Sequence, residues 1–576
     1  MFCSHYAGAS LYRGIMKNTL LLLNRDYVYA IIFQTLGLFS LFSIGINQTY
    51  AATKAIVLQA GVKQAHQHTD KQTLPPKFSQ NELTSKLEHI VSRVKQHNRS
   101  NVGVAIWSLD LQTIIYQHQS HQFFQPASVQ KILTALVTQE TLGKDFRYTT
   151  SLLGSKPLVD DNHLTVKNGI YDGDLLVQFS GDPSLTSKDL YQLLLPIQQA
   201  GIQKILGNIY VETTIPSDAY PPGWVWDDLG ICYGAPSTGF AIDKNCIKGR
   251  VSAKQYGQPA IYNQSSGPLE SWLKQTSQYN EEQLSQSFSN LLKLDTDVHF
   301  EKSSKRHAKH CRLSLHTNDN NHYKLSGCYP NRLSLPLSFA IQQPDKLALN
   351  YIDSILSLMG VSYQNITIPH TSMRNSKSLI HTLHRHDSVE IKKLLDELLL
   401  DSDNLIADSL LKTATNTSMV SSDSESRFNH ASDFLKTSLS QLDLQDELMH
   451  VEDGSGLSRY NLLSPNYVLA VLKYIQQQTD LSNIISQMPV SGVSGTLRYK
   501  ATMQRPPLKG MVQAKTGSML GVSNLAGKVT TQHNGELLFV IFENGLSPHF
   551  QNNTTEAMDL PTIMLELLVT SPKLTD

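Results

Sequence analysis

Ser128 and Lys131 stand three residues apart, where the small, polar break Gln125-Pro126-Ala127 gives way to the apolar run Ile132, Leu133, Leu136, Val137. That spacing puts Ser128 at the mouth of a helix and Lys131 one turn in, on the same face. A serine hydroxyl is a poor nucleophile until a base takes its proton, and a partly desolvated lysine amine can be that base. The helix N-terminus adds a field that favours negative charge developing near the serine. The pair means little by itself, because Ser92/Lys95 and Ser271/Lys274 repeat the pattern. Two further clusters change its weight: Ser402-Asp403-Asn404 and Lys515-Thr516-Gly517, in that order along the chain.

The three clusters divide one acyl transfer between them. Ser128 attacks an acyl carbon while Lys131 takes its proton. Ser402 can relay that proton to the leaving amine, and Asn404 can donate to a substrate amide. Lys515 supplies positive charge where a substrate carboxylate would sit. Thr516 and Gly517 would lie along an edge strand, the glycine leaving room for a substrate to align with it. The backbone N–H groups of Ser128 and Ser518 could form an oxyanion hole. Arg459, after a Gly-rich turn, could reach a substrate carboxylate or serve a structural ion pair. Met519 could line a side-chain pocket or pack in the core. Asp453 reads as a turn residue. His381, His384 and His386 are compactly spaced but lack a carboxylate pattern, so no metal and no cofactor is assigned.

These groups need elements to hold them. Leu83–Val94 has helical periodicity, and Val102–Trp107 with Thr113–Tyr116 flanks Asp110-Leu111-Gln112 as a hairpin. The nucleophile helix follows directly. Strands and turns then dominate, including Asp174–Phe179 and Ile209–Glu212, with a Trp- and Pro-rich loop over 221–228. Residues 250–325 are the most polar stretch and read as solvated surface or a mobile insertion, not a binding site. Helical periodicity returns at Leu347–Met359 and Val389–Leu400, and the second of these runs into Ser402. Asn524–Thr530 and Glu536–Glu543 form an apolar hairpin, and a helix over Asp559–Val569 follows. The order implies one antiparallel sheet built from both ends of the chain, with the middle inserted into it.

A chain of 576 residues is long enough for two or three domains and ample core. Its 49 basic and 49 acidic side chains balance, with no basic block, which argues against nucleic acid as a partner. Basic residues near Arg13, Lys17 and Arg25 precede an apolar run from Tyr27 to Ile46 that ends on Thr49-Tyr50-Ala51-Ala52. That is a signal peptide over 1–52 with a small-residue cleavage site, or an uncleaved anchor, with Met16 as an alternative start. Export to the periplasm is the expectation. Residues 53–78, with Pro75-Pro76, read as a linker. No later segment is long and apolar enough to span a bilayer. Cys3 lies in the leader, and the other cysteines form two local sets, Cys232 with Cys246 and Cys311 with Cys328. An oxidising compartment would permit two short-loop disulfides; buried free thiols are the alternative.

The three clusters together resemble those of serine β-lactamases and penicillin-binding proteins. Further segments narrow the likeness: Gly181-Asp182-Pro183-Ser184-Leu185, Gly223-Trp224-Val225-Trp226-Asp227-Asp228-Leu229, Tyr233-Gly234-Ala235-Pro236, Asp453 to Asn461, Met488 to Val493, and Gly521 to Gly527. From about residue 80 onwards the chain closely resembles the class C low-molecular-mass penicillin-binding proteins, D-alanyl-D-alanine carboxypeptidase/endopeptidases of the penicillin-binding protein 4 type. The resemblance implies an α/β (α+β) fold: a transpeptidase/β-lactamase-like domain with an antiparallel sheet flanked by helices, split by one or more large β-rich inserted domains. The implied division is 79–146 and 341–576 for the transpeptidase-like domain and 147–340 for the insertion. The implied reaction removes the terminal D-alanine of peptidoglycan stem peptides, or cuts their cross-links, through a Ser128 acyl-enzyme that β-lactam antibiotics also form. Ser518 stands where many relatives have Thr, and Ser494 where an acidic residue is common. A β-lactamase would need a dedicated deacylation base, and no Glu-x-x-Leu-Asn element follows Ser402. A non-catalytic peptidoglycan-binding scaffold is disfavoured because all three clusters are intact.

Overall fold

A computed structural model describes residues 78–575, apart from 161–162, 165, 216–219, 277, 289–290, 303–310, 318–320, 371–372, 374–380, 419–426 and 549–557. The expected leader, its cleavage site, Cys3 and the linker with Pro75-Pro76 lie outside the described residues.

Helix α1 (Gln80–Asn98) is capped by the Ser79 hydroxyl, which accepts from Glu82 N–H at 3.2 Å, and it buries Leu83, Leu87, Val91 and Val94 at helical spacing. The hairpin β1 (Asn101–Ser108) and β2 (Thr113–His118) follows. A short 3-10 turn over Ala127–Gln130 then feeds α2 (Lys131–Leu142), so Lys131 opens the α-helix rather than standing one turn inside it. Next come β3 (Thr149–Gly154), β4 (Leu175–Phe179), α3 (Ser187–Gln199) and β5 (Asn208–Thr213). The polar stretch is more ordered than its composition implied. Its described residues and those bordering it contribute β6 (Cys246–Ser252), β7 (Ile261–Gln264), β8 (Lys293–Glu301), β9 (Leu313–Thr317), β10 (His322–Pro330) and β11 (Ser334–Ala340). Alternating Val251, Val298, Phe300, Leu325 and Leu335 give these strands a small core of their own. Helix α4 (Pro344–Leu358), strands β12 (Asn365–Thr367) and β13 (His381–Asp387), and α5 (Ile391–Leu400) lead to the second cluster. Helices α6 (Asn404–Ser418), α7 (Arg427–Gln441) and α8 (Pro465–Gln477), strands β14 (Val512–Met519), β15 (Val522–Thr530) and β16 (Glu536–Asn544), and helix α9 (Leu560–Thr570) complete the path.

Two five-stranded sheets organise the molecule. The first is antiparallel, in the order β14-β15-β16-β1-β2, so three strands from the far end of the described chain lie beside two from its start, joined where β16 pairs with β1. One face packs on α1 and α9, and the other on the helical core of α2, α5, α6, α7 and α8. The second sheet is mixed, in the order β12-β5-β4-β3-β13, and buries a separate core with α3 and α4.

The chain leaves for the second sheet and returns from it at one point. Tyr148 N–H donates to the Ser388 hydroxyl at 2.9 Å, Ser388 N–H donates to the Tyr148 carbonyl at 2.9 Å, and Ile391 N–H donates to the Phe146 carbonyl at 3.0 Å. The return therefore falls near Ser388 rather than at 341. Leu347, Ile352 and Ile355 of α4 belong to the second core, and β13 pairs with β3. Helical periodicity in α4 could not reveal which core its apolar face would join. Both cysteine sets are disulfides, Cys232–Cys246 and Cys311–Cys328. His381, His384 and His386 are spread along strand β13.

Candidate active site

The nucleophile turn is held by backbone constraints before any side chain acts. Ala127 takes a left-handed φ of +48°, a conformation that costs a residue with a Cβ about 1–2 kcal/mol and persists only when its surroundings enforce it. Two glycines make room for it. A Cβ on Gly456, itself at φ +80°, would lie 2.0 Å from the Ala127 carbonyl oxygen, and one on Gly517 would lie 2.4 Å from that of Pro126. Gly517 therefore serves the nucleophile turn: the space its side chain would fill is taken by that turn, not kept open for substrate. Asn524 on β15 adds donors from Nδ2 to the carbonyls of Gln125 (2.8 Å) and Pro126 (3.0 Å).

The first cluster and the second meet at one nitrogen. Lys131 is fully buried, and its Nζ lies 2.9 Å from Ser128 Oγ, 2.6 Å from Asn404 Oδ1 and 2.6 Å from the Ser455 carbonyl oxygen. Asn404 Nδ2 donates to the Tyr233 carbonyl at 2.8 Å, which fixes the amide so that its oxygen faces Lys131. Asn404 Oδ1 and the Ser455 carbonyl can only accept. A neutral Lys131 amine has two N–H bonds, and these two acceptors use both, so its lone pair is left facing the Ser128 hydroxyl. Burial pushes the Lys131 amine down to about 8, against the carboxylates of Asp408, Asp453 and Asp403, which hold it up. The arrangement is that of a base poised to deprotonate Ser128.

The second and third clusters meet in the same way. Lys515 is also fully buried and donates from Nζ to Ser402 Oγ at 2.8 Å and to the Thr516 carbonyl at 3.0 Å. Burial, then the positive charge of Lys131, pushes the Lys515 ammonium well below the usual lysine range, so an incoming anion would be strongly favoured there. Ser402 itself is left-handed, at φ +61°. Asp403 caps α6, accepting from Ile406 N–H at 3.0 Å, and its other oxygen takes Lys244 Nζ at 2.7 Å. Thr516 shares a 2.8 Å hydroxyl contact with Thr496. Ser518 is exposed at the free edge of the sheet, and Met519 is half-buried beside it.

Arg459 stands at the rim rather than in the cluster. Its Nη1 donates to the Leu520 carbonyl at 2.9 Å, and its charge acts on Asp228, whose carboxylate also accepts from the Tyr233 hydroxyl. Asp453 is more than a turn residue. One oxygen accepts from Gly456 N–H (2.7 Å) and Asn461 Nδ2 (2.8 Å), the other from Ser458 N–H (2.7 Å) and Trp224 Nε1 (2.8 Å). It shapes the loop that presents the Ser455 carbonyl, and Trp224 packs into that loop while Trp226 is 89% exposed. Motif reading missed Asp408, Lys244 and the Tyr233 and Ser455 carbonyls. Only Asp408 left a trace, as a lone acid one turn after Asn404 in an otherwise apolar stretch.

Comparison with known proteins places the chain among described relatives. The sequence model of the D-Ala-D-Ala carboxypeptidase 3 (S13) family matches residues 83–563. The D-alanyl-D-alanine carboxypeptidase DacB of Haemophilus influenzae is 31% identical over 460 residues, which is 78% of this chain and 86% of that one. The crystal structure of penicillin binding protein 4 (dacB) from Haemophilus influenzae superposes with a TM-score of 0.70 at 29% identity, covering 83% of this chain and 99% of that one. The same protein complexed with a novel β-lactam gives a TM-score of 0.65 at 29% identity, covering 80% and 93%.

Proposed function

The chain belongs to the D-Ala-D-Ala carboxypeptidase 3 (S13) family, and from that membership we infer that it is a serine-type D-alanyl-D-alanine carboxypeptidase that works through an acyl-enzyme on Ser128. The observation that carries the mechanism is the 2.9 Å contact between Lys131 Nζ and Ser128 Oγ, with the other two Lys131 partners able only to accept. Lys131 takes the Ser128 proton as Oγ bonds to the carbonyl carbon of the penultimate D-alanine. The backbone N–H groups of Ser128 and Ser518 receive the developing oxyanion. The peptide C–N bond then breaks as Ser402 gives its hydroxyl proton to the departing D-alanine and is itself reprotonated by the proton that Lys131 took from Ser128, which leaves both groups as they began. Water hydrolyses the ester and restores Ser128. Lys515 and Thr516 face the terminal carboxylate, the remaining Asn404 Nδ2 hydrogen serves the substrate amide, Arg459 reaches a substrate carboxylate from the rim, and Met519 borders the side chain of the stem peptide. Peptidoglycan cross-links, in which a D-alanyl acyl group is joined to a meso-diaminopimelyl amine, are substrates of the same site.

A β-lactam presents a strained amide to Ser128 and acylates it. The substrate implies action outside the cytoplasm, and the apolar N-terminal segment is consistent with delivery to the periplasm. Among the described residues no helix is long and apolar enough to cross a membrane.

Intact-protein mass spectrometry after incubation with benzylpenicillin, comparing the parent with Ser128→Ala, tests the reading. One stable adduct on the parent and none on the variant is the expected result. Penicillin consumed without a lasting adduct would replace it with a β-lactamase. Neither adduct nor turnover from folded protein would overturn both.

A further inference from the structure

Three carboxylates act on the buried Lys131 amine, and they are not equivalent. Asp403 is neutralised by Lys244 and by a backbone N–H, one on each oxygen. Asp453 has donors on both oxygens. Asp408 is different. It is fully buried on α6, one turn after Asn404 and on the same helix face. Its Oδ1 accepts from Gly454 N–H at 2.7 Å and Ser455 N–H at 3.0 Å, while its Oδ2, also buried, has no hydrogen-bond partner among the described residues. Leaving one carboxylate oxygen without a donor in the interior is costly unless a nearby cation compensates it. The other charges near it are Asp453 and the two ammonium groups of Lys131 and Lys412. Lys412, the smaller of these two influences, also donates to the Ser237 carbonyl at 2.6 Å and lies over the face of Phe428.

We propose that Asp408 is a positioning residue for the acylation step: through Gly454 and Ser455 it sets the carbonyl that Lys131 donates to, and its unpaired oxygen leaves negative charge to stabilise the ammonium that forms when Lys131 deprotonates Ser128. This rests on Ser128 and Lys131 being nucleophile and base. The step balances without a further reactant: the Oγ–H proton moves to Nζ, Oγ bonds to the acyl carbon, and the new ammonium is favoured by the charge of the Asp408 carboxylate. Burial pushes Asp408 up to about 7 and Lys131 down to about 8, and the attraction between the two charges works against both shifts.

Asp408→Asn separates the two roles, because an amide oxygen can still accept from both N–H groups while the charge is gone. Without that charge the Lys131 ammonium is less stable and the free base appears at lower pH. The second-order rate of penicillin acylation should then show its rising limb displaced by about one unit to lower pH, with a plateau lowered roughly tenfold by the weaker base. A purely structural role would lower the rate or the melting temperature and leave the limb in place, and that result overturns the proposal. A parent protein that forms no Ser128 adduct would instead sink the underlying acyl-enzyme reading. A second measurement requires neither the variant nor acylation: NMR titration of the parent labelled with ε-13C lysine. Coupling to Asp408 predicts two steps in the Lys131 resonance, and a single step overturns the proposal.

Discussion

Two buried lysines with different duties share this site, and their chemistry is set by what surrounds each nitrogen. Lys131 must be neutral to accept a proton, and burial brings it to about 8. The acylation rate of the parent should therefore rise with pH and level off above about 8; a rate independent of pH between 6 and 9 would exclude Lys131 as the base. Lys515 faces the opposite requirement. Its ammonium is destabilised by burial and by Lys131, and a substrate carboxylate would restore it. Lys515→Met should cut kcat/KM for a D-alanyl-D-alanine peptide by about 10- to 100-fold, the worth of one charge-assisted hydrogen bond. The loss should be far smaller for the same peptide ending in D-alaninamide. Equal losses for both would mean that Lys515 acts through Ser402 and not on the carboxylate.

At the scale of elements, α6 is the part on which most depends, because it begins with Asn404 and carries Asp408. One short loop holds it. The segment from Cys232 to Cys246, closed by its disulfide, gives α6 the Tyr233 carbonyl for Asn404 and the Ser237 carbonyl for Lys412, and it gives Asp403 the Lys244 ammonium. Lys244 also reaches Glu397 of α5 at 2.9 Å. Replacing both Cys232 and Cys246 by alanine should destabilise the protein by about 3 kcal/mol, the entropy of a loop of this length. Acylation measured well below the melting temperature should also slow, since the Asn404 amide loses its fixed orientation. Unchanged acylation in the double variant would mean that the loop holds its shape without the bond. The nucleophile turn has a comparable dependence on Gly456. Gly456→Ala would force its backbone and that of Ala127 apart and should lower acylation at least about 100-fold, because a shift of an ångström at the reacting atom is enough.

Among the described residues, the chain crosses between the first sheet with its helices and the second sheet where Tyr148 and Ser388 meet. The hydrogen bonds between these residues place the two crossing points side by side, so a short linker could replace residues 149–387. The helical core and the α1/α9 face of the first sheet draw almost all their side chains from outside that segment. The excised protein is expected to fold, as read by a cooperative thermal transition. It should acylate at least about 100-fold more slowly than the parent, because the Tyr233 carbonyl, Lys244 and Trp224 are removed with the segment. Normal acylation would show that the inserted part does not support the catalytic groups.

The sequence by itself determined which groups are present and most of the elements that carry them. Apolar residues at helical spacing mark α1, α2, α4, α5 and α9, and alternating or continuous apolar runs mark β1, β4, β5, β15 and β16, because burial of one face is written directly in residue type. Ser128, Lys131, Ser402, Asn404 and Lys515 were legible for a related reason: few side chains can attack, accept a proton or bind an anion, and these fall into three compact clusters. What only the tertiary structure decided is contact between residues far apart in the chain. The Ser455 and Tyr233 carbonyls that orient Lys131 and Asn404 are backbone groups with no signature in residue type. Gly517 fits against Pro126, and Asp408 acts on Lys131, across separations no local pattern spans. The return of the chain at Ser388 was hidden for the same reason, since an amphipathic helix declares that it has an apolar face but not which core that face will join.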